Sequence, residues 1–172
     1  MKIKVNNYKN IFLDRDGIIN EIILRDNVVT SPRKIDEFIF RDEIFDFFEA
    51  IERESKMIFV VTNQPELSRG LLPLNELEEM HRKIEKELSI DEIIFCPHDN
   101  HHNCGCRKPK PGMINSMHEK YNLNKHESIL FGDSEKDIGA ANAAKIDGVL
   151  LKTTYNKIIS GNPFIESLLD VI

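Results

Sequence analysis

Ile11-Phe12-Leu13-Asp14-Arg15-Asp16-Gly17-Ile18-Ile19-Asn20 decides how this chain is read. Three apolar residues stop abruptly at two acids and a glycine. A buried strand looks like this when it delivers carboxylates to the open end of a sheet. Asp14 and Asp16 are two apart and would share a face on an extended chain, but Gly17 permits a turn that re-aims the second. Two carboxylates held close repel unless a cation or a proton lies between them. Mg2+, a hard cation that takes oxygen ligands, meets that need. One Asp then suits a nucleophile and the other a proton donor. The plainer reading of the same residues is a strand followed by an acidic turn.

Outward from this stretch, strands and helices alternate. Residues 17–40 carry no clear period and read as a loop or small flap. Arg41 to Ser55 has helical spacing, and Met57-Ile58-Phe59-Val60-Val61 is a second buried strand ending at Thr62-Asn63-Gln64. Pro65 to Pro73 is loop. Leu74 to Leu88 is an amphipathic helix with Leu74, Leu77, Met80, Ile84 and Leu88 on one stripe. Glu92 to Phe95 is a third strand, followed by a long loop from Cys96 to Pro111. Gly112 to Tyr121 reads as helix, Ser128 to Phe131 as strand, Ser134 to Ala144 as helix and Gly148 to Leu151 as strand. A last helix is expected between Pro163 and Val171. The pattern predicts an α/β fold with a mostly parallel sheet, in one domain over residues 1–172.

Composition narrows the function classes. The 172 residues include 23 basic and 29 acidic ones, a formal net charge of −6, which argues against a general nucleic-acid binder. The N-terminus has no signal-like apolar region and no stretch is long enough to span a membrane, so the default setting is cytoplasmic. The three cysteines, Cys96, Cys104 and Cys106, lie within eleven residues, which suits a metal better than a disulfide framework.

Three predicted strands end in polar clusters, at Asp14 and Asp16, at Thr62 and Asn63, and at Asp133. In a parallel sheet these ends share the edge where ligands bind. Thr62 and Asn63 offer donors for phosphate oxygens, although Asn is equally at home in a plain turn. Arg107-Lys108-Pro109-Lys110-Pro111 is a stiff cationic segment able to neutralise a phosphoryl group, or else a solvated basic loop. Ser134 and Asp137 have capping-box spacing, and a helix-start role and an outer-shell metal role both fit Asp137. Cys96, His98, Cys104 and Cys106 offer three sulfurs and an imidazole, the donor set of a closed structural zinc site, with His101 and His102 as rival ligands.

Asp14-Arg15-Asp16-Gly17, Thr62-Asn63-Gln64, Arg107-Lys108-Pro109 and Gly132-Asp133-Ser134-Glu135-Lys136-Asp137 resemble, in order, the four motifs of haloacid dehalogenase (HAD) superfamily phosphatases. Cys96-Pro97-His98 and Cys104-Gly105-Cys106 resemble the zinc loop, residues 96–106, of the branch that holds histidinol-phosphate and heptose-bisphosphate phosphatases. The resemblance implies a HAD-like, Rossmann-like three-layer fold. Asp14 would form an aspartyl-phosphate. Asp16 would protonate the leaving alcohol and then activate water. Asp14, Asp16 (through its carbonyl) and Asp133 would ligate Mg2+. Thr62 and Lys108 would hold the phosphoryl group, and Arg107 would help recognise the substrate.

Asp14 and Thr62 lie 48 positions apart and Thr62 and Lys108 lie 46 apart, too few for an inserted cap domain. The site should therefore be open. Specificity then falls to residues 18–33, the 65–72 loop and the metal loop, with Asn20, Arg25, Asn63, Gln64 and Arg69 as candidate substrate contacts. Asn20 and Arg69-Gly70 resemble the heptose-bisphosphate enzymes more than the histidinol ones. This implies release of the 7-phosphate of D-glycero-D-manno-heptose 1,7-bisphosphate. Histidinol phosphate or another polyol phosphate is the alternative, and a non-catalytic zinc-loop module the rival from another class. Pro65-Glu66 replaces the usual Ser-Gly, and Ser134 the usual Lys. A monomer acting on a small phosphate ester, with neither nucleic acid nor membrane as partner, completes the expectation.

Overall fold

The computed structural model describes residues 3–172. Six strands form one parallel sheet: β1 (Asn10–Leu13), β4 (Met57–Asn63), β5 (Glu92–Cys96), β6 (Ser128–Gly132), β7 (Asp147–Leu151) and β8 (Phe164–Ile165), in the order β5-β4-β1-β6-β7-β8. β1 is central, hydrogen-bonded to β4 on one side and β6 on the other. The chain therefore winds outward from β1 through β4 to β5, then crosses back to build the other half. The crevice beside β1 is the switch point where ligands bind in such sheets.

Continuous apolar runs form these strands because both faces are covered. Along β1, Ile11 and Leu13 enter one core and Phe12 the other; along β4, Ile58 and Val60 alternate with Phe59 and Val61 in the same way. Helices α1 (Glu43–Ala50) and α2 (Leu74–Glu87) supply the first core through Ile44, Phe47, Leu77, Met80 and Ile84. Helices α3 (Gly112–Tyr121) and α4 (Glu135–Ala144) supply the second through Met113, Ile114, Met117, Ala140 and Ala141. The result is the expected three-layer arrangement, with no cap domain among the described residues.

Four local expectations are corrected. Residues 17–40 contain a hairpin, β2 (Ile23–Arg25) with β3 (Val28–Thr30), turned at Asp26 and Asn27, which both have positive φ. Paired positive φ is the demand of a tight hairpin turn, and Asn and Asp tolerate it. The first helix ends at Ala50 rather than running to Ser55. Ile51 is extended, and Arg53 leaves the axis to bond Ser89 O, Lys56 O and Asp91. Leu74 is 52% exposed, so the apolar stripe of α2 starts one turn later. The tail forms β8 and a short 3-10 turn at Leu168–Val171 in place of a helix, with β8 parallel to β7.

Candidate active site

The C-terminal ends of β1, β4 and β6 converge on a cleft of about 350 Å³. Asp14 leaves β1 with its N–H donated to Phe131 O, and its Oδ1 accepts from Arg15 N at 2.7 Å. Gly17 turns the chain at φ +85°. An added Cβ there would stand 2.0 Å from Asp133 Oδ2, so only glycine lets this loop approach the third acid.

Lys108 is 3% exposed and makes three contacts through Nζ: Val61 O at 2.7 Å, Asp14 Oδ1 at 2.8 Å and Asp137 Oδ1 at 2.5 Å. Burial works against its charge, but Asp137 and Asp14 outweigh that and hold its pKa above the usual lysine value. Asn63 grips the Lys108 backbone from both sides, accepting from N at 3.0 Å and donating to O at 3.1 Å. Asp137 takes the expected helix-start role and adds an ion pair. Its Oδ2 accepts from Ser134 N and Oγ in a capping box, while Oδ1 faces Lys108.

Carboxylate oxygens of Asp14, Asp133 and Asp137 all lie within 4.8 Å of one another. Burial, and then the Asp137 charge, push Asp14 well above the usual carboxylate range and Asp133 up to about 7. One lysine does not balance three buried acids. Such a set of hard oxygen donors, short of positive charge, fits Mg2+.

Asp16 sits in a different setting. Its carboxylate accepts from Arg15 Nε and Nη2, Asn20 Nδ2 (3.0 Å), Ser31 Oγ (2.8 Å) and Gln64 Nε2 (2.8 Å). Burial alone would raise its pKa, but the Arg15 charge and these donors outweigh it and hold the group low. Gln64 also donates to Thr62 Oγ1 at 2.9 Å. Thr62 is 1% exposed yet lines the cleft, and its own O–H remains a donor.

The metal loop holds a second donor set. The Sγ atoms of Cys96, Cys104 and Cys106 are 3.2–3.5 Å apart, and His98 Nδ1 is 3.6 Å from Cys96 and 3.4 Å from Cys106. Thiolates each about 2.3 Å from one tetrahedral zinc stand about 3.8 Å apart, so this near-regular group fits Zn2+ with every position filled by protein. His102 is not part of it; its Nδ1 accepts from Asp99 N. Arg107 is tied to the loop through His98 O at 3.0 Å and Asn100 Oδ1 at 2.9 Å. Arg69 pairs with Asp99 in a two-pronged bridge at 2.6 and 2.9 Å.

Of the candidate substrate contacts, Asn63, Arg69 and Arg107 line the cleft. Asn20 and Gln64 are fully buried and hold Asp16. Arg25 braces the hairpin through Thr30, Ser31 O and Glu37. Sequence reasoning missed Arg15 and Ser31 as partners of Asp16, Lys136 in the cleft wall and Tyr155 against Asp133. Proximity to Asp16 marked Arg15, but nothing local marked the others.

Comparison with known proteins agrees with this geometry. A family model described as polynucleotide kinase 3 phosphatase matches residues 11–154. A D-glycero-beta-D-manno-heptose-1,7-bisphosphate 7-phosphatase of Neisseria meningitidis is 38% identical over 154 residues, 87% of this chain and 80% of its own length. The chain belongs to the HAD superfamily of phosphatases, in its heptose-bisphosphatase branch. A D-glycero-alpha-D-manno-heptose-1,7-bisphosphate 7-phosphatase of Photorhabdus laumondii is 34% identical, covering 95% of this chain and 97% of its own. Among solved structures, the D,D-heptose 1,7-bisphosphate phosphatase of B. bronchiseptica, complexed with magnesium and phosphate, superposes with a TM-score of 0.81 at 29% identity, covering 95% of both chains. This chain is accordingly a phosphoric monoester hydrolase with a small phosphate ester as substrate. None of its described helices is long and apolar enough to cross a membrane.

Proposed function

We propose that this phosphatase removes the 7-phosphate of D-glycero-D-manno-heptose 1,7-bisphosphate through an aspartyl-phosphate on Asp14. The observation that carries the chemistry is one cleft holding Asp14, Asp16, Thr62, Lys108 and Asp133 together. Asp14, Asp133 and the Asp16 carbonyl would hold Mg2+, which would supply charge neutralisation for phosphoryl transfer. Asp14 attacks phosphorus through a carboxylate oxygen, while Thr62 O–H and Lys108 Nζ orient the transferred group. Asp16 then gives a proton to the leaving alcohol oxygen. The donors around it favour its ionised form, and an incoming phosphate dianion raises its pKa by like-charge repulsion, loading the proton when it is needed. Once the alcohol leaves, the same carboxylate takes a proton from water, which hydrolyses the aspartyl-phosphate. The donors already in place around Asp16 favour this second half.

The substrate reading rests on the names of the relatives and on the cleft lining, where Arg69, Arg107 and Lys136 offer positive charge to a second phosphate. A net charge of −6 and a small cleft favour a sugar phosphate over a polynucleotide end. One domain over residues 1–172, a monomer and a cytoplasmic setting complete the proposal.

The test is phosphate release from both anomers of the heptose bisphosphate, from histidinol phosphate and from a 3′-phosphorylated oligonucleotide. The heptose should exceed the other two in kcat/KM by at least tenfold. Preference for histidinol phosphate or the oligonucleotide, or inactivity on all three, would overturn the substrate.

A further inference from the structure

Tyr155 lies in the loop after β7, outside all four HAD motifs. The residue is 36% exposed, yet its hydroxyl donates to Asp133 Oδ2 at 2.6 Å. The loop that carries it is fastened to the same residue. Asn156 Nδ2 donates to Asp133 O and to Leu151 O, both at 2.7 Å, and Asn156 Oδ1 accepts from Thr153 N at 2.9 Å. Asp133 thus has its main chain and one carboxylate oxygen held by two residues of a single short loop. Gly17 closes the arrangement from the other side, where an added Cβ would lie 2.7 Å from the Tyr155 hydroxyl.

We propose that Tyr155 is a positioning residue for the magnesium site: its hydroxyl occupies Asp133 Oδ2 and turns Oδ1 toward the cation, while Asn156 fixes the loop that aims it. The inference rests on the reading of Asp133 as a Mg2+ ligand. A carboxylate bonded at one oxygen has one rotamer and one free oxygen, which suits a cation that demands near-ideal octahedral geometry. Partners of metal ligands commonly govern affinity in this way, and their loss costs about 10- to 100-fold. Tyr155 does not touch the phosphoryl group in this scheme, so its removal should change metal affinity and leave the chemical step alone.

Isothermal titration of Mg2+ into Mg2+-free, zinc-loaded protein, with no substrate present, tests this. Wild type, Tyr155→Phe, Asn156→Ala and Asp133→Asn are compared. Tyr155→Phe keeps the ring and should fold as wild type. Its Mg2+ affinity should fall about tenfold, Asn156→Ala should shift the same way, and Asp133→Asn should lose the site. In steady-state assays with an aryl phosphate, Tyr155→Phe should need more Mg2+ for half-maximal rate, with kcat at saturating Mg2+ within about twofold of wild type. Equal Mg2+ affinity in wild type and Tyr155→Phe overturns the proposal while sparing the metal site. Absence of Mg2+ binding in wild type overturns both. A kcat that stays depressed at saturating Mg2+ also overturns it, because Tyr155 would then act on the reaction itself.

Discussion

Lys108 Nζ stands 2.8 Å from Asp14 Oδ1, so the cation meant for the phosphoryl group is already bonded to the residue assigned to attack it. Its other neighbours, Val61 O and Asp137 Oδ1, complete the complement of a three-proton ammonium. Lys108→Met should abolish turnover. It should also destabilise the Mg2+-free protein by roughly 3–5 kcal/mol, because the fully buried Asp137 loses its cationic partner. Added Mg2+ should recover more stability in this variant than in wild type. Urea melts with and without Mg2+ measure the difference, and an unchanged melt would remove Lys108 from the charge balance.

Asp14 supports the opposite expectation for stability. Burial and the neighbouring Asp137 raise its pKa, so its neutral form is the one the fold prefers. For an acid raised in the folded state, the stability of the protonated form is present at low pH. That stability is lost as pH rises from the ordinary carboxylate value through the raised one. Asp14→Asn should therefore be inactive, since an amide cannot form the aspartyl-phosphate, yet more stable than wild type at neutral pH in Mg2+-free buffer. The gain should shrink toward pH 4. Phosphate-release assays and melts at both pH values check the two halves.

Asp16→Ala should separate leaving groups. General acid catalysis contributes about 10²- to 10⁴-fold, and an aryl oxide needs that proton far less than an alkoxide. The loss on a sugar phosphate should exceed the loss on an aryl phosphate by at least tenfold. Equal losses would mean that Asp16 works chiefly through the metal.

The catalytic strand ends were legible because each is an apolar run cut off by polar residues: Leu13 by Asp14, Val61 by Thr62, Gly132 by Asp133. What escaped reading depends on partners remote in sequence. Asn63 looked like a phosphate donor, but its amide is spent on the Lys108 backbone 45 positions away. Tyr155 meets Asp133 across 22 positions, from a loop with no motif of its own. Phe164–Ile165 is too short to show a period, and only pairing with β7 makes it a strand. The hairpin was within reach, since Asp26-Asn27 between Ile23-Leu24 and Val28-Val29 carries a tight-turn signature. Arg25, beside that turn, is bound to Glu37 rather than offered to a ligand.

His81 on α2, within reach of the Arg15 and Asp16 charges, offers a pH prediction of its own. Burial, and then the Arg15 charge, lower its pKa to about 3, and its Nε2 has no hydrogen-bond partner among the described residues. Between about pH 6.5 and pH 3 the unfolded chain binds a proton here that the folded chain does not. Stability is therefore full above the unfolded pKa and falls with pH below it, by at most about 1.4 kcal/mol per unit from this group. His81→Gln should lose less stability than wild type between pH 7 and pH 5 in urea melts. Parallel losses would show that His81 takes up its proton without unfolding.

Zinc should govern activity from outside the reaction. The four donors leave no position for water or substrate, and thiolates prefer zinc where the aspartate oxygens prefer Mg2+. The purified protein should carry about one Zn2+ per chain that Mg2+ does not displace. Arg107 leans on His98 O and Asn100, and Arg69 on Asp99, so the loop holds two cleft cations at once. Cys104→Ser should free the loop, lower affinity for a bisphosphate more than for a simple aryl phosphate, and leave Mg2+ dependence as in wild type. The segment from His98 to Cys106 should become protease-sensitive while the sheet stays folded, since only exposed polar contacts such as Arg69–Asp99 and Lys110–Asn103 would then hold it. Elemental analysis, limited proteolysis and the two substrates together test the claim. A zinc-free wild type with a resistant loop and full activity would end it.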